Sequence, residues 1–242
     1  MSRRVTGAPS GASSGRGAGV LAEAAYVAIK RSIIRCELEP GQQVTEEQLG
    51  TRFGVGRAAV RAALKRLYQE QLIHSLSRNR YVIAPITLKY VNELFELRLL
   101  LEPPAARLAA GRIDAALLER LTALAQARYE TGDRDSAAAF LAANTEFHAT
   151  VAEASGNSML ARAIRDLLDK VERVHHMSHL LRDRNEEAYH EHHDLVDALA
   201  AGDGERAERV MTDQILAARA FVIDAMLASA AVQSVNVAPR QA

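Results

Sequence analysis

The sequence holds a single cysteine, Cys36, which excludes an internal disulfide and fits a reducing compartment, the cytoplasm. No apolar run reaches the length of a membrane span, because Arg, Asp or Glu interrupts every candidate. Arg3 and Arg4 precede a Gly/Ser/Ala stretch that lacks the apolar centre of a secretion signal. Residues 1–20 therefore read as a disordered arm, or alternatively as an added phosphate contact through Arg3, Arg4 and Arg16. No nucleophile–base pair, phosphate loop or internal repeat is visible, and no Glu follows His175 to complete a metallohydrolase motif with His179. Net charge is also missing: 30 Lys and Arg balance 30 Asp and Glu, which argues against a nucleic-acid partner until the chain is divided.

Division changes the answer. Residues 1–86 carry 13 Lys and Arg against 6 Asp and Glu, a net +7, while residues 87–242 carry 17 against 24, a net −7. A basic half joined to an acidic one points to a polyanion-facing module coupled to a module with another task. At 48% hydrophobic residues the chain has material for two cores.

In the basic half, Tyr26, Ile29, Ile33 and Ile34 fall on one helical face, and Glu39-Pro40-Gly41 ends that pattern in a turn. Thr45 with Gln48 forms a capping-box pattern opening a short helix with Leu49 and Phe53. Gly54-Val55-Gly56 then turns into a helix reaching about Gln69, with Val60, Leu64 and Leu67 at core spacing and Arg57, Arg61 and Arg66 among them. Alternating residues in 72–76 and 80–84 predict two strands around Ser77-Arg78-Asn79. Three helices plus a β-hairpin wing make a winged helix-turn-helix over 21–86. In such a module the second helix of the motif enters the major groove with its first turns nearest the bases. Arg57 and Arg61 are the candidates for base contact, because Arg can donate two hydrogen bonds to guanine O6 and N7. Arg52, Lys65 and Arg66 are candidates for phosphate, and Arg78 and Arg80 on the hairpin for phosphate or the minor groove. A solvated charged helix face remains the plain alternative for an isolated Arg-x3-Arg spacing.

From Thr87 onward the pattern is helical, over 88–111, 114–131, 134–155, 157–181, 184–201 and 203–229, with Pro103-Pro104 expected to kink the first. The fold class expected is mainly α: the winged helix-turn-helix, then an all-α antiparallel bundle of six or seven helices over 87–230, and a flexible tail at 231–242.

The order Pro40-Gly41, Leu49, Phe53-Gly54-Val55, Arg57, Val60-Arg61, Ala63-Leu64, Leu67 and Leu72-Ile73 resembles the GntR family of bacterial transcription regulators over residues 22–86. The family usually places Ser at Gly56, Thr-Pro at Ala58-Ala59, Glu at Ala62, Gly at Gln71 and a wing Gly near Asn79. Loss of the two hydroxyls removes hydrogen bonds to phosphate or base. Leu97-Arg98-Leu99-Leu100-Leu101-Glu102-Pro103, Ala105-Ala106-Arg107-Leu108-Ala109-Ala110, Asn144-Thr145-Glu146-Phe147-His148, Ala154-Ser155-Gly156-Asn157 and Glu191-His192 with Gly202-Asp203 resemble the FCD domain of FadR-like GntR regulators, across 90–220.

That resemblance implies a homodimer on double-stranded operator DNA and a small-molecule effector, often a carboxylate, inside the bundle. It also implies a divalent cation (Zn, Ni or Mn) held by Asp and three His, at positions occupied here by Asn144, His148, His192 and Gln214. Two imidazoles and two amides offer no charge to a 2+ ion, so the competing reading is a metal-free polar pocket in which these four and Arg98 bind the effector. Arg98 either pairs with Glu102 one turn away or turns inward to anchor a carboxylate. Seven of the eight histidines lie between 148 and 193; most read as exposed or at a dimer surface, with His175 or His179 at the pocket mouth. The function expected is a ligand-responsive, DNA-binding repressor and not an enzyme. The alternatives are a constitutive DNA-binding protein whose bundle only dimerises, and a metal-dependent enzyme, for which the metal set is incomplete.

Overall fold

A computed structural model describes residues 13–130, 132–178 and 185–236, with side chains described over 19–130, 132–177 and 185–228. The chain divides into two compact units, one ending at Pro85 and the other beginning at Ile86.

In the first unit, α1 (Ser13–Ile34) buries Ala25, Tyr26, Ile29 and Ile33 along one face. The strand β1 (Gln43–Thr45) leads into α2 (Glu46–Phe53), whose start is the expected capping box: Thr45 accepts from the Gln48 N–H, and the Gln48 side chain accepts from the Thr45 N–H. Gly54, at φ +65°, ends α2 in the left-handed region that glycine occupies without strain. After Gly56 the helix α3 (Arg57–Gln69) buries Ala59, Val60, Ala63, Leu64 and Leu67 against α1 and β2 (Ile73–Ser77). Each fully buried Val or Leu here contributes about 1.5–3 kcal/mol. The hairpin closes through β3 (Arg80–Ile83), with Ile73 opposite Ile83 and a bulge between Ser75 and Ser77.

Two differences from the expected first unit stand out. β1 pairs antiparallel with β3, giving a three-stranded sheet in the order β1-β3-β2 where a two-stranded hairpin was expected. Three residues are too few to show alternation; the backbone bonds Gly41 N–H to Ile83 O and Ile83 N–H to Gln42 O hold them in register. α1 also begins at Ser13, so residues 13–20 are helical where a disordered arm was expected. The anchored Ala25–Ile33 face supplies the nucleus from which helix propagates toward the N-terminus at one hydrogen bond per residue. Arg3, Arg4 and the Arg16 side chain lie outside the described residues.

The second unit is six helices among the described residues: α4 (Leu88–Ala109), α5 (Ala115–Ala125), α6 (Arg134–Ala154), α7 (Ser158–Ser178), α8 (Asn185–Ala200) and α9 (Gly204–Asn236). Thr87, Asp114 and Asp133 cap α4, α5 and α6 by accepting backbone N–H bonds. α4 packs on α6, α7 and α9, around Val91, Phe95, Phe147, Val174, Leu195, Met211, Ile215 and Val222. The helix α4 runs through Pro103 and Pro104.

α5 stops six residues before the expected end at 131. The Asn185 side chain donates to the Tyr129 carbonyl (2.8 Å) and accepts from its N–H (3.0 Å), which removes Tyr129 from the helical ladder and buries its ring beside Phe140. α9 reaches Asn236, so the flexible tail expected from 231 is helical to that point. Residues 179–184, including His179, and residues 237–242 lie outside the described residues. No described helix is long and apolar enough to cross a membrane.

Candidate functional sites: a basic helix face and a buried polar cavity

The first site is the outer face of α3. Its apolar positions are consumed by the core, which leaves Arg57, Arg61 and Lys65 in a row one turn apart, all exposed. Gly56 at the N-cap makes no side-chain hydrogen bond, so the leading N–H groups of α3 have no side-chain cap.

Both candidate base-contacting arginines meet one carboxylate. Glu46, in the first turn of α2 and only 2% exposed, accepts from Arg61 Nε (3.1 Å, to Oε1) and Nη2 (3.0 Å, to Oε2). Arg57 Nε stands 3.9 Å from Oε2, and the Tyr81 hydroxyl 3.5 Å from Oε1. The Arg61 hydrogen bonds hold the Glu46 carboxyl below its usual range, outweighing the upward push of burial. Neither Glu46 nor Tyr81 was among the candidates read from sequence.

The other basic candidates are spread over different surroundings. Arg66 pairs with Glu23 and stacks over the Tyr26 ring, 3.5 Å from its centroid, so its guanidinium is tied to α1. Arg52 reaches the Glu37 carbonyl (3.3 Å), and Arg80 donates to Gln43 (2.9 Å). Lys65 and Arg78 are exposed and meet no acceptor among the described residues.

The second site lies inside the bundle. Arg98, Asn144, His148, His192 and Gln214 all line one cavity of about 30 Å³, together with Phe140, His175 and Glu191. Sequence reasoning placed the first five there; His175 was expected exposed or at the mouth and is instead 5% exposed. His148 and His192 are as buried as expected of pocket residues, with ring centroids 5.8 Å apart; of the remaining described histidines between 148 and 193, only His190 is exposed, where most were expected to be.

Arg98 pairs with Glu102 one turn along its own helix, the first of the two roles expected of it, and lines the cavity. Its Nε donates to Glu102 Oε1 (2.6 Å) and its Nη2 lies 3.4 Å from Oε2, while both side chains are 2% exposed. His148 Nδ1 approaches Glu102 Oε2 at 2.7 Å from the other side. Burial alone raises the Glu102 pKa, but Arg98 and His148 outweigh it and lower it to about 2. Arg98 Nη1 is left without a hydrogen-bond partner, and so is Gln214 Oε1, whose amide nitrogen donates to the Glu191 carbonyl. One buried donor and one buried acceptor, neither with a protein partner, therefore face the lining of one cavity.

A resident divalent cation does not fit this lining. Among the described residues no three His, Cys, Asp or Glu side chains converge. The four positions expected to hold it carry two imidazoles and two amides, Glu102 is already neutralised by Arg98, and the fixed Arg98 cation would repel a second positive ion.

Comparison with known proteins adds the family context. Residues 21–83 match the model for bacterial regulatory proteins of the gntR family, and residues 93–217 match the FCD domain. The uncharacterised HTH-type transcriptional regulator YdhC of Bacillus subtilis is 31% identical over 162 residues, covering 64% of this chain and 68% of that protein. The HTH-type transcriptional repressor RspR of Escherichia coli is 26% identical over 190 residues, 78% of this chain and 83% of that protein. Among solved structures, E. coli McbR/YncC superposes with a TM-score of 0.72 at 21% identity, over 84% of this chain and 97% of its own, which speaks for the fold alone.

Proposed function

The chain belongs to the GntR family of bacterial regulators and carries an FCD domain, and from that premise we propose that it is a ligand-responsive transcription regulator, a repressor released by a small carboxylate. GntR regulators bind operator DNA and FCD domains bind small-molecule effectors. Residues 21–86 would serve the first task, and 87–230 the second together with dimerisation. Two copies in the cytoplasm would present two α3 helices to two half-sites of one operator.

On the DNA side, Arg57 and Arg61 read base edges. Lys65 and Arg78 take phosphates most directly, because Arg52, Arg66 and Arg80 already hold Glu37, Glu23 and Gln43. On the effector side, the carrying observation is the pair of unmatched buried atoms, Arg98 Nη1 and Gln214 Oε1, in one cavity. A carboxylate accepts from the first, and a hydroxyl or protonated group on the same ligand donates to the second. About 30 Å³ holds roughly two water-sized groups. That is room for the two oxygens of one carboxylate, so the remainder of the ligand must displace lining side chains such as Phe140 or Leu141. Coupling follows if the filled and unfilled bundles favour different spacings of the two α3 helices.

Thermal-shift screening of carboxylates and sugar acids, with and without Zn, Ni or Mn, tests the cavity. The expected hit raises Tm in metal-free buffer and loses its effect in Arg98→Met; a hit that needs metal, or that ignores Arg98, overturns the reading. On DNA, log affinity should fall steeply with log salt through counterion release, and a flat response would remove the phosphate contacts from the account.

A further inference from the structure

We propose that Glu46 is the positioning residue that gives Arg61 its base specificity, an inference that rests on reading α3 as the groove-entering helix. A guanidinium has two edges able to donate paired hydrogen bonds. The edge nearer the stem, Nε with Nη2, is the one Glu46 occupies, with both bonds near 3 Å. The terminal edge, Nη1 with Nη2, remains open, and it is this edge that can bridge guanine O6 and N7. The Arg61 side chain is 66% exposed, so the open edge faces solvent while the clamped edge is fixed from beneath.

Three features separate this arrangement from an ordinary surface ion pair. Glu46 is itself buried, so it is not available as an acceptor for cytosine N4 and acts through Arg61. It is braced from a second element, since the Tyr81 hydroxyl of β3 stands 3.5 Å from the oxygen that receives Arg61 Nε. It is also not shared evenly: Arg57 approaches only by Nε at 3.9 Å, leaving that side chain free to follow phosphate or base. An unclamped arginine must lose rotamer freedom on reaching a base, and it binds any phosphate in reach just as readily. The clamp orders Arg61 during folding and cancels part of its pull on phosphate. The carboxylate thus exchanges indiscriminate affinity for selectivity.

The test uses the full-length protein and duplexes enriched by it from a random library, with a scrambled duplex as the non-specific probe. Arg61→Ala first locates the base pair whose preference depends on Arg61. Glu46→Gln, which keeps the shape of the side chain but loses the second acceptor oxygen and the charge, should lower discrimination at that same base pair about tenfold or more. It should also bind the scrambled duplex as well as or better than the parent. Adding Glu46→Gln to Arg61→Ala should cost no further discrimination. A merely structural role predicts the opposite pattern, with specific and scrambled binding weakened together and Tm lowered; that result, or full discrimination in Glu46→Gln, overturns the proposal. If Glu46→Gln does not fold, Glu46→Asp decides: its shorter carboxylate must lose the same base preference for the proposal to stand. If Arg61→Ala alters no base preference, the groove assignment of α3 fails instead.

Discussion

Arg61 and Arg98 surrender the same edge, Nε with Nη2, to a glutamate, and each keeps Nη1 uncommitted. Their settings are opposite. Arg61 reaches across from α3 to α2 and is 66% exposed, whereas Arg98 pairs with Glu102 one turn along its own helix and is 2% exposed. In water the clamp mainly fixes direction, because the charge is screened and the stem is free. Inside the bundle the same clamp is a condition of burial, since an unpaired guanidinium there would carry a large desolvation cost. One geometry thus occurs in two dielectric settings, and on the proposed function it serves an oriented reader on the surface and a charged receptor in the core.

The largest expected effect separates the two clamps by stability. Glu102→Gln leaves Arg98 buried without a counter-charge and should destabilise the chain by about 3–5 kcal/mol. Glu46→Gln should shift the unfolding midpoint far less, since Arg61 can turn to solvent. Urea unfolding of both variants checks the contrast, and equal losses would break it.

A smaller effect comes from pH. The Glu102 carboxyl is held at about 2, below the 4.5 of a free glutamate. A depressed carboxylate adds stability in full above the unfolded pKa and loses it as pH falls through the folded one. The window is therefore from about pH 5 down to 2, and the amount on the order of 3 kcal/mol. Stability measured at pH 7, 5 and 3.5 should fall more steeply in the parent than in Glu102→Gln, where this source of slope is gone. Parallel slopes would show that other carboxylates govern the acid limb.

How much of this was visible in the sequence depends on the range of the forces that made it. α3 was legible because its Val60, Leu64 and Leu67 spacing and the Gly54 turn are local signals. Arg98 with Glu102 was legible as a pair, because i,i+4 is a helical neighbour. That the pair is buried was not, because burial depends on α6, α7 and α9 closing over it. Glu46 reads in sequence as an acidic first-turn residue suited to a helix N-terminus. Its real partners lie 15 and 35 residues away, on α3 and β3. His175 was legible only in part: expected at the pocket mouth or exposed, it lines the cavity and is buried, because it follows Val171 by four and Leu168 by seven on the buried stripe of α7. β1 gave no signal, since three residues pair only because β3 offers an edge.

The smallest expected effect tests whether the exposed clamp depends on the stability of its scaffold at all. α3 ends in the bond pattern of a Schellman motif: Leu72 N–H reaches Leu67 O (3.0 Å), Gln71 N–H reaches Tyr68 O (3.1 Å), and Leu67 and Leu72 share the core. The residue that must turn left-handed in this motif is Gln71, at φ +61°. A side chain there costs roughly 1–2 kcal/mol, and a glycine would return part of that gain through its looser unfolded chain. Gln71→Gly should therefore stabilise by about 0.5–1 kcal/mol, read as a higher urea midpoint at unchanged slope. Because residue 71 lies at the far end of α3 from Glu46 and Arg61, base discrimination should stay at the parent level. A stabilised variant with altered discrimination would mean that Arg61 is set by the tension of the whole helix, and not by the carboxylate beneath it.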